Sequence, residues 1–164
     1  MNAKATMYTL AACLVVVSAT AMAASRSWFE AYTSGARSVA LRGSASFGTV
    51  GDDGRGAFVV TLGAGSPEGA VLFTRADGRP LTPGSYALDE DPARGVQALV
   101  ITGPASHPTG AYRARSGALT IAATRGDMLE GHFTIEAEGF AAEAPADEGQ
   151  PLRVRGAFTA TRDR

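Results

Sequence analysis

Residues 129–137 read Leu129-Glu130-Gly131-His132-Phe133-Thr134-Ile135-Glu136-Ala137. Leu129, Gly131, Phe133, Ile135 and Ala137 take alternate positions, and Glu130, His132, Thr134 and Glu136 fill the gaps. Successive side chains of a strand point to opposite sides. The stretch is therefore a strand with one buried and one solvated face. Leu152, Val154, Gly156, Phe158 and Ala160 repeat the pattern, with Arg153, Arg155, Thr159 and Thr161 outward. Leu119, Ile121 and Ala123 give a shorter run. The turn residues Thr124-Arg125-Gly126-Asp127 separate it from the Leu129 strand, which predicts a hairpin.

Upstream, alternation marks Val39 to Phe47, Ala57 to Leu62, Ala70 to Thr74, Tyr86 to Leu88, Val96 to Ile101 and a short edge around Tyr112. Gly51-Asp52-Asp53-Gly54, Asp77-Gly78-Arg79-Pro80, Pro83-Gly84 and Pro104 to Pro108 punctuate these runs as turns. Short strands so regularly interrupted predict an all-β fold, an antiparallel β-sandwich or flattened β-barrel of about eight to ten strands. Ser27 to Tyr32 is expected to make one helical turn. Residues 141–151, acidic and rich in Ala and Pro without a period, are expected to form a long loop before the last strand.

Charge-Gly-x-Phe-(Val/Thr) occurs three times: Arg55-Gly56-Ala57-Phe58-Val59, Glu130-Gly131-His132-Phe133-Thr134 and Arg155-Gly156-Ala157-Phe158-Thr159. A glycine two positions before an inward Phe leaves a gap on the same face, where a neighbouring ring can lie over backbone. The spacing is too irregular for a solenoid or propeller, so one packing solution is being reused within a single core.

Residues 1–23 belong to an address. Lys4 supplies a basic start, Leu10 to Val17 an apolar core, and Ala21-Met22-Ala23 the small residues that signal peptidase accepts. Cleavage is expected after Ala23, with Ala24 as second choice. Leu10-Ala11-Ala12-Cys13 resembles a lipobox, but the most apolar residues follow Cys13, and this order argues against a lipid anchor there. Leu10 to Ala24 is also short for a transmembrane helix, which needs roughly 20 residues. The expected organisation is a signal peptide over 1–23, an N-terminal segment over 24–37 and a single domain over 38–162, with export to the periplasm or the exterior of a bacterium.

The chain has 164 residues, net charge −1 and one cysteine. One cysteine permits no intrachain disulfide. A near-neutral balance lacks the basic excess of a nucleic-acid binder. Lys4 is the only lysine, and the arginines that replace it (Arg42, Arg55, Arg75, Arg94, Arg125) are scattered among acids, as compositional bias would place them.

Gly84-Ser85-Tyr86-Ala87-Leu88, Ser116-Gly117-Ala118-Leu119-Thr120-Ile121, the Leu129–Ala137 stretch and Val154-Arg155-Gly156-Ala157-Phe158-Thr159-Ala160 carry a resemblance. Over Val39 to Ala160 the chain resembles a group of uncharacterised bacterial exported proteins. Those proteins share a Gly-x-Tyr-x-Leu turn, an SGxLTI strand, a GxFxxxA strand and a terminal GxF strand. The resemblance implies an all-β fold and brings no activity or site residue.

Chemistry-bearing constellations are sparse. His107 lies in the Pro104–Pro108 loop and His132 on an outward strand face, and no Ser occupies a Gly-x-Ser-x-Gly elbow. His132 with Glu130 and Glu136 makes only a partial metal set, and a structural zinc site wants four ligands. Asp52-Asp53 and Asp89-Glu90-Asp91 are acidic turns that do not match a calcium-loop pattern. Gly63-Ala64-Gly65 lacks the rest of a dinucleotide fingerprint. Trp28, Phe29 and Tyr32 are expected to pack at the domain edge, with a docking patch as the alternative.

No catalytic, cofactor or metal residue is nominated. The expectation is an exported non-enzymatic domain, binding an unknown protein or small molecule or serving the envelope. A carrier of an apolar ligand is the alternative, because inward Gly and Ala leave room for a cavity. A hydrolase using scattered acids is a third.

Overall fold

The computed structural model describes residues 27–51, 56–140 and 148–163. The proposed signal peptide, Cys13, Asp52-Asp53 and most of the 141–151 loop lie outside them. Among the described residues there are ten strands and no helix. They are β1 (Trp28–Gly35), β2 (Ala40–Gly43), β3 (Ala45–Val50), β4 (Ala57–Leu62), β5 (Gly69–Arg75), β6 (Gly84–Ala87), β7 (Gln97–Thr102), β8 (Gly110–Arg125), β9 (Met128–Gly139) and β10 (Pro151–Arg162).

Seven of them close a ring in the order β3-β4-β5-β7-β8-β9-β10 and back to β3. The closing pair, β10 with β3, is parallel (Thr161 beside Ser46, Arg162 beside Phe47), while the other junctions of the ring are antiparallel. The sheet is thus a mixed barrel, and the expectation of a purely antiparallel arrangement is corrected. β1 adds to β10 and β2 to β1, whereas β6 adds to β8. β2 and β6 are the outermost strands of the sheet, and both are short, which limits the edge open to foreign strands.

β9 buries the five residues expected inward and turns His132, Thr134 and Glu136 to solvent. Leu152, Val154, Phe158 and Ala160 of β10 are buried likewise. Arg125 pairs with Met128 across a two-residue turn, so the β8–β9 hairpin is present. Gly126, at φ 59°, supplies the left-handed conformation that such turns favour.

The phenylalanine–glycine units explain the packing of the last two strands. Gly156 stands opposite Phe133, and Phe158 opposite Gly131. Each ring covers the glycine facing it: a Cβ built on Gly156 would lie 2.6 Å from Cζ of Phe133, and one on Gly131 2.9 Å from Cζ of Phe158. Phe73 meets Phe133 edge-on at 5.1 Å, which ties β5 to β9 through the interior. The gaps at Gly131 and Gly156 are therefore filled by rings. The first unit differs, because Gly56 is pressed against the Val50 backbone, where β3 and β4 come together, and not against a ring.

Several boundaries are corrected. Ser27 to Tyr32 enters a strand: β1 buries Phe29, Ala31 and Thr33 and exposes Trp28 and Tyr32. Val39 to Phe47 is two strands that part at Ser44, whose carbonyl accepts the Gly63 N–H at 2.7 Å. Tyr112 is no edge residue. It is fully buried in β8, between Val100 of β7 and Gly139 of β9. Pro151, expected in the loop, opens β10 opposite Glu138.

Candidate functional site

β8 changes partner along its length. Gly110–Arg113 pair with β7, and Ala118–Ile121 pair with β6. Where the sheet divides, Arg115 reaches Glu138 (Nε to Oε2, 2.9 Å) and Glu90. Beyond β6 the chain returns along its outer edge. The Val96 N–H donates to the Ala87 carbonyl (3.2 Å), and the Asp89 N–H to the Val96 carbonyl (3.1 Å). This return, β6 and the end of β5 enclose an open groove of about 670 Å³ lined by Arg75, Asp77, Ser85, Tyr86, Arg94 and Val96 among others.

Each groove side chain is held locally. The Arg75 guanidinium forks onto Asp77, with Nε 2.8 Å from Oδ1 and Nη2 3.0 Å from Oδ2. Its Cζ lies 5.7 Å from the centre of the Tyr86 ring. The Tyr86 hydroxyl accepts the Thr82 N–H (2.8 Å) and donates to the Thr82 carbonyl (2.9 Å), which fixes the ring as a wall. The Arg79 N–H bonded to Asp77, and then Arg75, hold the Asp77 carboxyl below its usual range. The groove thus offers a fixed aromatic face, an ionised carboxylate and two guanidinium groups.

The sequence candidates are placed elsewhere. His107 is exposed; its Nδ1 lies 3.2 Å from the hydroxyl of the adjacent Ser106, and no carboxylate hydrogen-bonds the ring among the described residues. His132 points outward between Thr120 and Ala157. Its neighbours on that face are engaged, Glu136 by Arg153 (3.0 Å) and Glu130 by Arg125 (3.9 Å). Asp89 and Asp91 accept N–H groups of their own turn, from Asp91 and Ala93, and Glu90 meets Arg115. Among the described residues no cluster of three or more His, Cys, Asp or Glu is placed to hold a metal ion.

Gly63 has φ 80° and seats the Phe29 ring, so Gly63-Ala64-Gly65 serves packing. Of the three N-terminal aromatics, Phe29 is 2% exposed, while Trp28 and Tyr32 are 46% and 57% exposed. The groove itself was not legible: its walls come from three separate segments, the end of β5, β6 and the return after it, and Arg75, Tyr86 and Arg94 carry no shared spacing.

The chain matches no family model, no curated protein and no solved structure. Its geometry therefore carries the functional argument. Among the described residues no helix is long and apolar enough to cross a membrane, which leaves strands out of account.

A second polar assembly lies on β1. Oε1 of Glu30 accepts the Tyr32 hydroxyl (2.7 Å) and Arg42 Nε (2.9 Å). These bonds, Tyr32 first, hold the Glu30 carboxyl below the usual carboxylate range. Being lowered, it favours the fold above the ordinary carboxylate pKa, and that contribution disappears as pH falls through the folded value. Tyr32→Phe should raise the Glu30 midpoint towards the ordinary value in a carboxyl-carbon NMR titration. An unchanged midpoint would assign the lowering to Arg42 alone.

Proposed function

We propose that this chain is an exported, non-enzymatic β-barrel that binds a small ligand in the groove between β6 and the end of β5. The groove is the observation that carries the reading. Its volume of about 670 Å³ falls within the range typical of small-molecule sites, roughly 300–1,000 Å³. Its Tyr86 wall and Arg75–Asp77 fork suit a ligand with a flat apolar part and a polar edge. Export rests on the basic start, apolar core and Ala21-Met22-Ala23 of the first 23 residues. A ligand seated outside the barrel accords with an interior in which Phe133 and Phe158 cover the inward glycines.

Native mass spectrometry of the protein purified from the periplasm of an expressing bacterium tests this directly. The expected result is a mature chain with added small-molecule mass, lost in Arg75→Glu, which breaks the fork onto Asp77 and reverses the charge beside the Tyr86 ring. Finding only the bare chain, or the same added mass in Arg75→Glu, would remove the groove as the site. Sequencing the mature amino terminus in the same preparation tests cleavage after Ala23.

A further inference from the structure

Trp28, Glu30 and Tyr32 form the outward row of β1, and the residues between them are buried. Side chains at i and i+4 of a strand stand about 13 Å apart. A single sugar ring cannot reach both aromatics, but an extended chain can. Their neighbours on the adjoining strands are mostly small. Thr159 lies beside Trp28, Ala157 beside Glu30 and Ala40 beside Tyr32, with Arg155 on the other side of Tyr32. The two rings therefore stand above a low floor.

Between them the Glu30–Arg42 pair is already organised. The bonds from Tyr32 and from Arg42 (Nε 2.9 Å, Nη2 2.7 Å) all end on Oε1, which leaves Oε2 to accept from a ligand. Aromatic faces separated by a carboxylate acceptor and a guanidinium donor match the two characters of a saccharide. Its C–H face is apolar, and its rim of hydroxyls both donates and accepts. A protein partner fits less well. The cores of protein interfaces are depleted of charge and enclosed by a polar rim, whereas here the charged pair occupies the centre and the rings the periphery.

We infer that the outward face of β1 and β2 binds an extended β-1,4-linked glycan, with Trp28 and Tyr32 stacking on two of its sugar rings and the Glu30–Arg42 pair bonding hydroxyls between them. Platforms about 13 Å apart along one strand suit an extended chain such as a β-1,4-linked glycan, and not a coiled one. This site is separate from the groove and does not depend on it.

Trp28 is the only tryptophan in the chain, so intrinsic tryptophan fluorescence reports this face alone. The full chain is titrated with cellohexaose and with chitohexaose, and its retention on insoluble cellulose and chitin is measured. The expected result is a saturable change in emission with at least one hexasaccharide. Tyr32→Ala should weaken that binding about tenfold, which corresponds to about 1.4 kcal/mol. Trp28→Ala should abolish retention on the matching polysaccharide, and the groove variant Arg94→Ala should leave binding unchanged. Circular dichroism checks that each variant keeps its fold. Absence of binding to both sugars overturns the inference, as does retention that survives the Trp28→Ala/Tyr32→Ala double variant. Self-association lost in that double variant, with no glycan bound, would reassign the face to a protein contact.

Discussion

Gly156→Ala should lower the unfolding free energy by about 2–3 kcal/mol, and Gly156→Val by more, as expected for side chains forced into a filled core. A Cβ at this position would stand 2.6 Å from Cζ of Phe133, 2.7 Å from the Ala31 Cβ and 2.7 Å from the Glu30 carbonyl oxygen. None of these neighbours can withdraw easily. The Phe133 ring is buried and rests against Phe73 and Phe158, and Ala31 and Glu30 belong to a strand paired on both sides. Total stability of a domain is only about 5–15 kcal/mol, so the valine variant is expected to fold poorly at 37 °C. Much of the cost falls on the contact with the ring, which a double-mutant cycle isolates. In a Phe133→Leu background, Gly156→Ala should cost less than in the parent, and the remainder reports Ala31 and the β1 backbone. Urea unfolding of the four proteins supplies the test. A Gly156→Ala midpoint equal to that of the parent would mean the ring does not lie on the glycine.

The same pair shows what the sequence made legible. Alternation placed Phe133 and Phe158 inward, and the glycine two positions earlier indicated a space for an aromatic ring. Which ring fills which space depends on register, since Gly156 is covered by Phe133 only because β9 and β10 pair with those residues opposite. Alternation misled where a strand face changes phase. β8 buries Tyr112 and Ala114 in its first half but Leu119 and Ile121 in its second, with register shifts between Ala114 and Ser116 and between Ile121 and Ala123. Even-numbered residues face inward before the first shift and odd-numbered ones after it, so one long strand reads as two.

β1 was hidden for a different reason. Its outward row carries Trp28 and Tyr32, so apolar residues occupy both faces and the period of two disappears from the sequence. That departure from ordinary surface composition coincides with the face assigned above to a glycan, as expected where binding outweighs solubility. The groove left no pattern to read, because Arg75, Tyr86 and Arg94 meet only after β8 has exchanged β7 for β6.

Removing residues 161–164 should destabilise the barrel by about 2–4 kcal/mol, on a scale of roughly 0.5–1.5 kcal/mol for each hydrogen bond lost. β10 is the hub of the sheet. One edge pairs with β9 throughout, while the other serves β1 over Leu152–Thr159 and then meets β3 at Thr161 and Arg162. That last contact closes the ring, and it is short. The Asp163 N–H donates to the Phe47 carbonyl (2.9 Å), and the Arg162 N–H to the Asp127 carbonyl (2.9 Å). Arg162 also pairs with Asp127 (3.0 Å) and lies 5.4 Å over the Phe47 ring. Without these residues the Ala45–Val50 strand loses its partner on that edge, and Phe47 loses its cover. An opened edge next to an exposed aromatic invites pairing between molecules. The truncated chain should therefore unfold at lower urea and elute partly as oligomers in size-exclusion chromatography. Arg162→Ala separates backbone from side chain: it keeps the ladder and should cost no more than about 1 kcal/mol, as exposed ion pairs do. If the two variants unfold at the same midpoint, the guanidinium and not the parallel pairing holds the seam. If truncation leaves the midpoint where it was, β10 and β3 do not close the barrel in solution.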